Sequence, residues 1–242
     1  MLCKNEADRL VRSLPPLSDF AEIVALDSGS VDQSLALLKA AGARTLFHEW
    51  DGFVPMRRRL FSSATQPWIF WLDADEVVTV PLLENMKALF AGGEPRCAGY
   101  LIDRMVCFRG RWIRHGEWFP DWNLRLFRRD AWRMDSRAVH EKIEVNGKVG
   151  RLHGLLEHHA LRDLADLRQR VARYAALAAG ERMAHGKKPS RLQGALHASA
   201  RFLRGYLLRR GFLDGGEGFL IAREIARGTF FKYAGRCEDL SS

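Results

Sequence analysis

The chain has 242 residues, 47% of them hydrophobic and 28% charged, and a formal net charge of +9. That length suits one substantial core with an appendage, and the composition excludes a disordered chain. The four cysteines, Cys3, Cys97, Cys107 and Cys237, are far apart and form no C-x-x-C pair, so neither a disulfide framework nor a zinc knuckle is expected. No run of about 18 apolar residues predicts a spanning helix, and no basic-then-apolar leader opens the chain.

The charge is uneven. Between Arg182 and Arg236 twelve Lys or Arg face three acids, Asp214, Glu217 and Glu224, while the remaining residues balance. A basic tail on a balanced body predicts an anionic partner, an anionic membrane surface or nucleic acid.

In chain order, Ala7 to Leu14 reads as a helix stopped by Pro15 and Pro16. Glu22 to Leu26 is a short apolar strand running into Asp27-Ser28-Gly29-Ser30, and Asp32 to Ala41 is a helix ending at Gly42. Trp68 to Leu72 is a continuous apolar run of the kind seen in buried parallel strands, and it ends in Asp73, Asp75 and Glu76. Strands interleaved with helices predict an α/β fold with a doubly wound, mostly parallel sheet whose ligands lie beyond the carboxyl ends of the strands. Asp27 and Asp73 would then open onto one crevice.

Two further strands follow, Ala98 to Phe108 and Leu124 to Phe127, joined by a loop holding Trp112, Trp118, Phe119 and Trp122. Beyond about residue 160 the pattern turns helical. Between Arg191 and Arg210 one stripe carries Leu192, Ala195, Leu196, Ser199, Phe202, Leu203 and Tyr206, with Arg201 and Arg204 opposite, and Gly215-Gly216 precedes a last helix near Phe219 to Tyr233. The expected division is 1–160 as a catalytic domain and 161–242 as a basic helical region.

Side chains alternate along a strand, so Asp73 and Asp75 are expected to point the same way and share a hard divalent ion, Mg²⁺ or Mn²⁺, which in turn holds phosphate. A strand end with solvated acids starting the next helix is the bland alternative.

Five motifs in order resemble glycosyltransferase family 2, enzymes of the GT-A fold, and most closely its lipopolysaccharide inner-core branch. They are Cys3-Lys4-Asn5-Glu6, LDSGSVDQS (Leu26 to Ser34), Trp50-x-Gly52-Phe53 with Arg57, LDADE (Leu72 to Glu76), and Gly110 to Arg129 continuing through Val139-His140-Glu141 to a helix beginning at His158. The resemblance implies inverting transfer of a hexose, glucose foremost, from a UDP-sugar to a glycolipid such as the lipopolysaccharide core. It assigns Asn5, Glu6, Asp27, Ser28, Arg57 and Asp73 to the nucleotide sugar. Asp75, Asp73 and His158 go to the metal, with His159 second to His158. The base is expected to be Glu141, where many relatives carry Glu-Asp, with Asp121 second.

Trp112, Trp118 and Trp122, with Arg114 and His115, suggest an acceptor site in which guanidinium forks suit phosphate or carboxylate. The basic tail then reads as attachment to the cytoplasmic face of the inner membrane rather than to nucleic acid, since its aromatics lie on an apolar stripe, and an equally physical alternative packs that stripe on the catalytic domain. Two other classes fit parts of the pattern. One is a haloacid-dehalogenase-like phosphatase with Asp73 as nucleophile, and the other a non-catalytic sugar-binding or membrane accessory protein.

Overall fold

The computed structural model describes residues 1–134 and 143–235. They form two compact units. The first holds 1–104 and 121–158, and the second holds 105–120 together with the C-terminal helices.

In the first unit, β1 (Leu2–Cys3), β2 (Val24–Asp27) and β3 (Arg44–Phe47) make a parallel sheet, with α1 (Ala7–Ser13) and α2 (Ser34–Ala40) as its crossovers. This is the α/β arrangement expected of the N-terminal half. Next come α3 (Phe53–Ser63), β4 (Trp68–Phe70), β5 (Glu76–Val78), α4 (Val80–Ala91), β6 (Gly99–Phe108), β7 (Arg111–Trp112), β8 (Trp122–Arg128), β9 (Trp132–Met134), β10 (Ile143–Val145) and β11 (Val149–His158). The larger sheet is ordered β4-β8-β6-β11-β5, with antiparallel pairing of β4 to β8, β8 to β6 and β11 to β5.

Neighbouring residues of one strand feed opposite faces. Ala25 and Leu126 join a core with Leu10, Leu38, Leu82, Ile102 and Leu156, whereas Leu26 and Phe127 join one with Met56, Phe61, Ile69 and Ile143. The period of two in a pleated strand dictates this division. Fully burying each of the Leu, Ile, Met and Phe side chains contributes about 1.5–3 kcal/mol.

Helix α3 stands where the sequence reading gave only a motif, and α4 where it gave no element. Helix α3 buries Met56, Leu60 and Phe61, and α4 is capped by Thr79, whose Oγ1 accepts from Leu82 N. Strand β11 also escapes the sequence pattern, because glycines and histidines interrupt its apolar positions. Its Gly154 has φ +108, and a Cβ there would lie 2.5 Å from Leu82 Cα, so β11 and α4 touch at a point only glycine allows.

In the second unit, α5 (Leu164–Ala184), α6 (Arg191–Leu203) and α7 (Gly215–Ala234) pack with the β6–β7 hairpin, α6 passing into a π-helical turn over Arg204–Leu208. Residues 105–120, which the expected division grouped with 1–160, cluster here, where Phe108 and Ile113 are buried with Leu167 and Ile221. The apolar stripe, which the sequence left open to a membrane surface or to packing on protein, divides. Phe202 and Tyr206 meet Phe219, while Leu192, Leu196 and Leu203 are exposed. Helix α7 begins at Gly215, so Gly215-Gly216 lies within its first turn rather than breaking the chain before it.

Candidate active site

The acidic motif is a turn, not the tip of a strand. Strand β4 ends at Phe70, Ala74 and Asp75 form the bend, and Glu76 N donates to Asp73 O at 3.1 Å as β5 begins. The turn sends its three carboxylates to different partners.

Asp73 meets guanidinium on both oxygens. Arg57 Nη2 is 3.4 Å from Oδ1, Trp71 Nε1 donates to Oδ1 at 3.1 Å, and Arg125 Nη1 donates to Oδ2 at 3.3 Å. Burial pushes the Asp73 carboxyl up, but the charges of Arg125 and Arg57 and the hydrogen bonds outweigh it and hold it at about 2. Trp71 lies between the same two cations, 4.3 Å from Arg57 and 4.4 Å from Arg125.

Glu76 has no exposed surface. It pairs with Arg125 Nη2, takes Arg104 Nη1 at 3.2 Å, and its Oε2 accepts from Asp73 N at 3.0 Å. Burial pushes its carboxyl up, and both arginines pull against that. Arg104 also gives Nε and Nη2 to Asp121 Oδ2, at 2.9 and 2.8 Å. The result is a ladder of alternating charge, Arg57, Asp73, Arg125, Glu76, Arg104 and Asp121, with no net charge.

Asp75 stands outside the ladder and faces His158. Its Oδ2 is 3.4 Å from His158 Nε2, and both side chains are largely buried. Burial raises the Asp75 carboxyl and the His158 hydrogen bond outweighs it, so the shift is downward. His158 does not start a helix as expected. It is the last residue of β11, opposite Glu76 of β5, and this register delivers its ring to the turn. His158 Nδ1 is buried with no hydrogen-bond partner.

The β1–α1 turn closes the other side. Glu6 and Arg9 form an ion pair at 2.7 Å, near enough to Asp75 for their charges to influence it. Asn5, at φ 55, donates its N–H to Ser30 Oγ and accepts Val31 N on Oδ1. Asp27 is buried at the end of β2, where its carboxylate accepts from Gly29 N, Ser30 N and Ser30 Oγ. Ser28 N donates to Cys3 O at 3.0 Å. Asp27 thus shapes the Ser28–Ser30 turn, and Asn5 rests on that turn.

The chemistry of these donors suits a hard cation in part. Asp75 and His158 offer an oxygen and a nitrogen at the spacing of neighbouring ligands. Asp73 fits less well, since both its oxygens already face arginines. Among the described residues no three His, Cys, Asp or Glu side chains converge as a metal-holding group.

The expected acceptor residues fall in both units. Trp122 lies in the first, beneath Arg151 at 4.9 Å. In the second, Trp112 meets His159 edge-on at 5.4 Å and Trp118 meets Phe108 at 6.1 Å. There the Arg114 and His115 backbones donate to Asp214 Oδ2, and His115 Nδ1 is 3.0 Å from Asp214 Oδ1. Glu141 lies outside the described residues.

Glu76 was noted only as an acid of the LDADE motif, and Arg104 and Arg125 were not singled out. Their one signal is local: a charged residue in an otherwise apolar strand, as in Asn123-Leu124-Arg125-Leu126-Phe127, needs a buried partner.

Among solved structures, S. aureus TarS 1–349 in complex with UDP-GlcNAc superposes with a TM-score of 0.50 at 12% identity, over 96% of this chain and 88% of that one, a likeness of fold. Among curated proteins, the lipopolysaccharide core biosynthesis glycosyltransferase LpsC of Rhizobium meliloti is 30% identical over 229 residues, 92% of this chain and 84% of LpsC. A glycosyltransferase of Rickettsia typhi is 24% identical over 247 residues, 97% of this chain and 84% of its own. A phosphatase built on Asp73 is not favoured, because that carboxylate is held between two guanidiniums. The sequence profile of Glycosyl transferase family 2 matches residues 1–147, and the chain belongs to that family of glycosyltransferases.

Proposed function

We propose that the protein transfers a hexose, glucose foremost, with inversion from a UDP-sugar to a cell-envelope glycolipid of the lipopolysaccharide-core type. The observation that carries this reading is the pairing of Asp75 with His158 beside a ladder that is already neutral. A nucleoside diphosphate brings further negative charge, and the neutral ladder together with Asp75 offers it no excess of cations. Asp75 and His158 would hold a divalent ion, and the chemistry it would supply is positive charge for the departing diphosphate.

The chain's own residues do the rest. Arg57 and Arg125 fix Asp73, and Glu76 ties the turn to β6 and β8 through Arg104 and Arg125, so Asp75 is presented without rearrangement. The Asn5–Glu6 turn and the Asp27-shaped turn form the nucleotide side. The base that takes the acceptor's proton is Asp121, of which Arg104 grips Oδ2, or Glu141. The acceptor class rests on the likeness to LpsC, and the nucleotide on TarS 1–349 having been solved with UDP-GlcNAc.

The test is a panel of nucleotide sugars, scored for hydrolysis and for transfer to isolated lipopolysaccharide core, with and without Mn²⁺. Metal-dependent turnover of one UDP-hexose, abolished by Glu141→Gln or Asp121→Asn, is expected. Turnover unaffected by chelation removes the metal. Silence on every donor, with no metal-dependent binding of UDP, removes the whole reading.

A further inference from the structure

Helix α6 is apolar on two sides. One side is occupied within its own unit: Gly194 abuts Phe230, Phe202 and Tyr206 meet Phe219, and His197 stacks on Tyr233 at 4.1 Å. The other side carries Leu192, Leu196, Leu203 and Leu207 at helical spacing, and they are 72%, 64%, 49% and 50% exposed. Leu208, Phe212 and Leu213 continue the exposed apolar surface past the π-helical turn. Isolated surface leucines need no explanation, but an aligned row of this kind does.

The charges nearby are almost all of one sign. Glu117 is buried and gathers Arg201, Arg204 and Arg209 at 2.9, 3.7 and 3.8 Å. Glu224, likewise buried, gathers Arg168, Arg223 and Arg227 at 3.5, 2.7 and 3.7 Å. Three guanidiniums thus surround each carboxylate. Lys187, Lys188 and Arg191 are exposed at the start of the helix. A second copy of the chain would set like charges against one another across the row.

We infer that the α6 face, from Leu192 to Leu208, docks on an anionic lipid bilayer, with the leucines in the headgroup and acyl boundary and the arginines against lipid phosphates. No helix among the described residues is long and apolar enough to cross a membrane, so this is attachment in the plane of the surface. The inference is independent of the glycosyl-transfer reading, because binding needs no donor.

Full-length protein is sedimented with vesicles of phosphatidylcholine alone or mixed with phosphatidylglycerol. Pelleting with the mixed vesicles only is expected. Leu192→Gln, Leu196→Gln, Leu203→Gln and Leu207→Gln together should weaken it about tenfold or more, with melting temperature and circular dichroism unchanged because these side chains face solvent. Lys187→Gln, Lys188→Gln and Arg191→Gln together should weaken it less and blunt its salt dependence. Wild type left in the supernatant with both vesicles overturns the inference. Full binding by the quadruple leucine variant also does. A dimer that the leucine changes disperse, without vesicle binding, would instead make the face a contact between copies.

Discussion

Asp75 and His158 meet side chain to side chain, 3.4 Å between Oδ2 and Nε2, because β5 and β11 pair with His158 opposite Glu76. One residue sits on a turn and the other at a strand end, so their meeting depends on the antiparallel register of two strands remote in sequence.

Asp75→Asn and His158→Gln are each expected to lower kcat for UDP-hexose turnover by about 10²-fold or more, the scale set when one preorganised group is lost. Steady-state kinetics with and without added Mn²⁺ will measure this. Both variants should melt near wild type, since neither side chain anchors the ladder. Near-normal turnover in both would exclude the pair from the chemistry.

Glu76→Gln should act on stability. It leaves Arg104 and Arg125 short of a buried carboxylate, and breaking a buried pair in this way costs roughly 3–5 kcal/mol. Urea denaturation gives the number. A loss within experimental error would mean that the arginines find water or another acceptor.

Asp73 sets an acid limit. Its folded value of about 2 lies below the ordinary 3.8, so its contribution, on the order of 2 kcal/mol, is complete above about pH 4 and is lost as pH falls toward 2. Asp73→Asn should be less stable at neutral pH and show a flatter stability curve between pH 4 and 2. Parallel acid curves for wild type and variant would contradict this.

Gly154→Ala tests the contact between β11 and α4. At φ +108 the new methyl is strained, and it would lie 2.5 Å from Leu82 Cα. A loss of roughly 2–4 kcal/mol is expected from strain plus overpacking. Leu82→Ala does not relieve it, because the clash includes backbone. An unchanged melting temperature would show that the two elements part easily.

The N-terminal α/β pattern and the order of the motifs were legible because each depends on local spacing. The association of Asp75 with His158 was legible only through resemblance, and the element carrying His158 was misread. Glycines at 150 and 154 and a polar residue between apolar ones hid a ten-residue strand. The expected shared orientation of Asp73 and Asp75 assumed extended backbone, but the chain bends at Ala74 and Asp75, so the two carboxylates take different partners. The ladder was least visible. Glu76 finds Arg125 across 49 positions, a distance no periodicity spans. What the α6 stripe touches stayed open for another reason: a helical pattern reveals that a face is apolar, not what covers it.

The placement of Trp71 between Arg57 and Arg125 has an optical consequence. Indole emission responds to the charges around the ring, and here two guanidiniums lie within 4.4 Å of its centroid while its Nε1 donates to the carboxylate that both of them contact. Any ligand that draws either guanidinium away from Asp73 changes those surroundings, and with them the colour of the light. Comparing the emission of wild type with that of Trp71→Phe therefore reports, without any label, whether an added ligand disturbs the contacts of Arg57, Asp73 and Arg125.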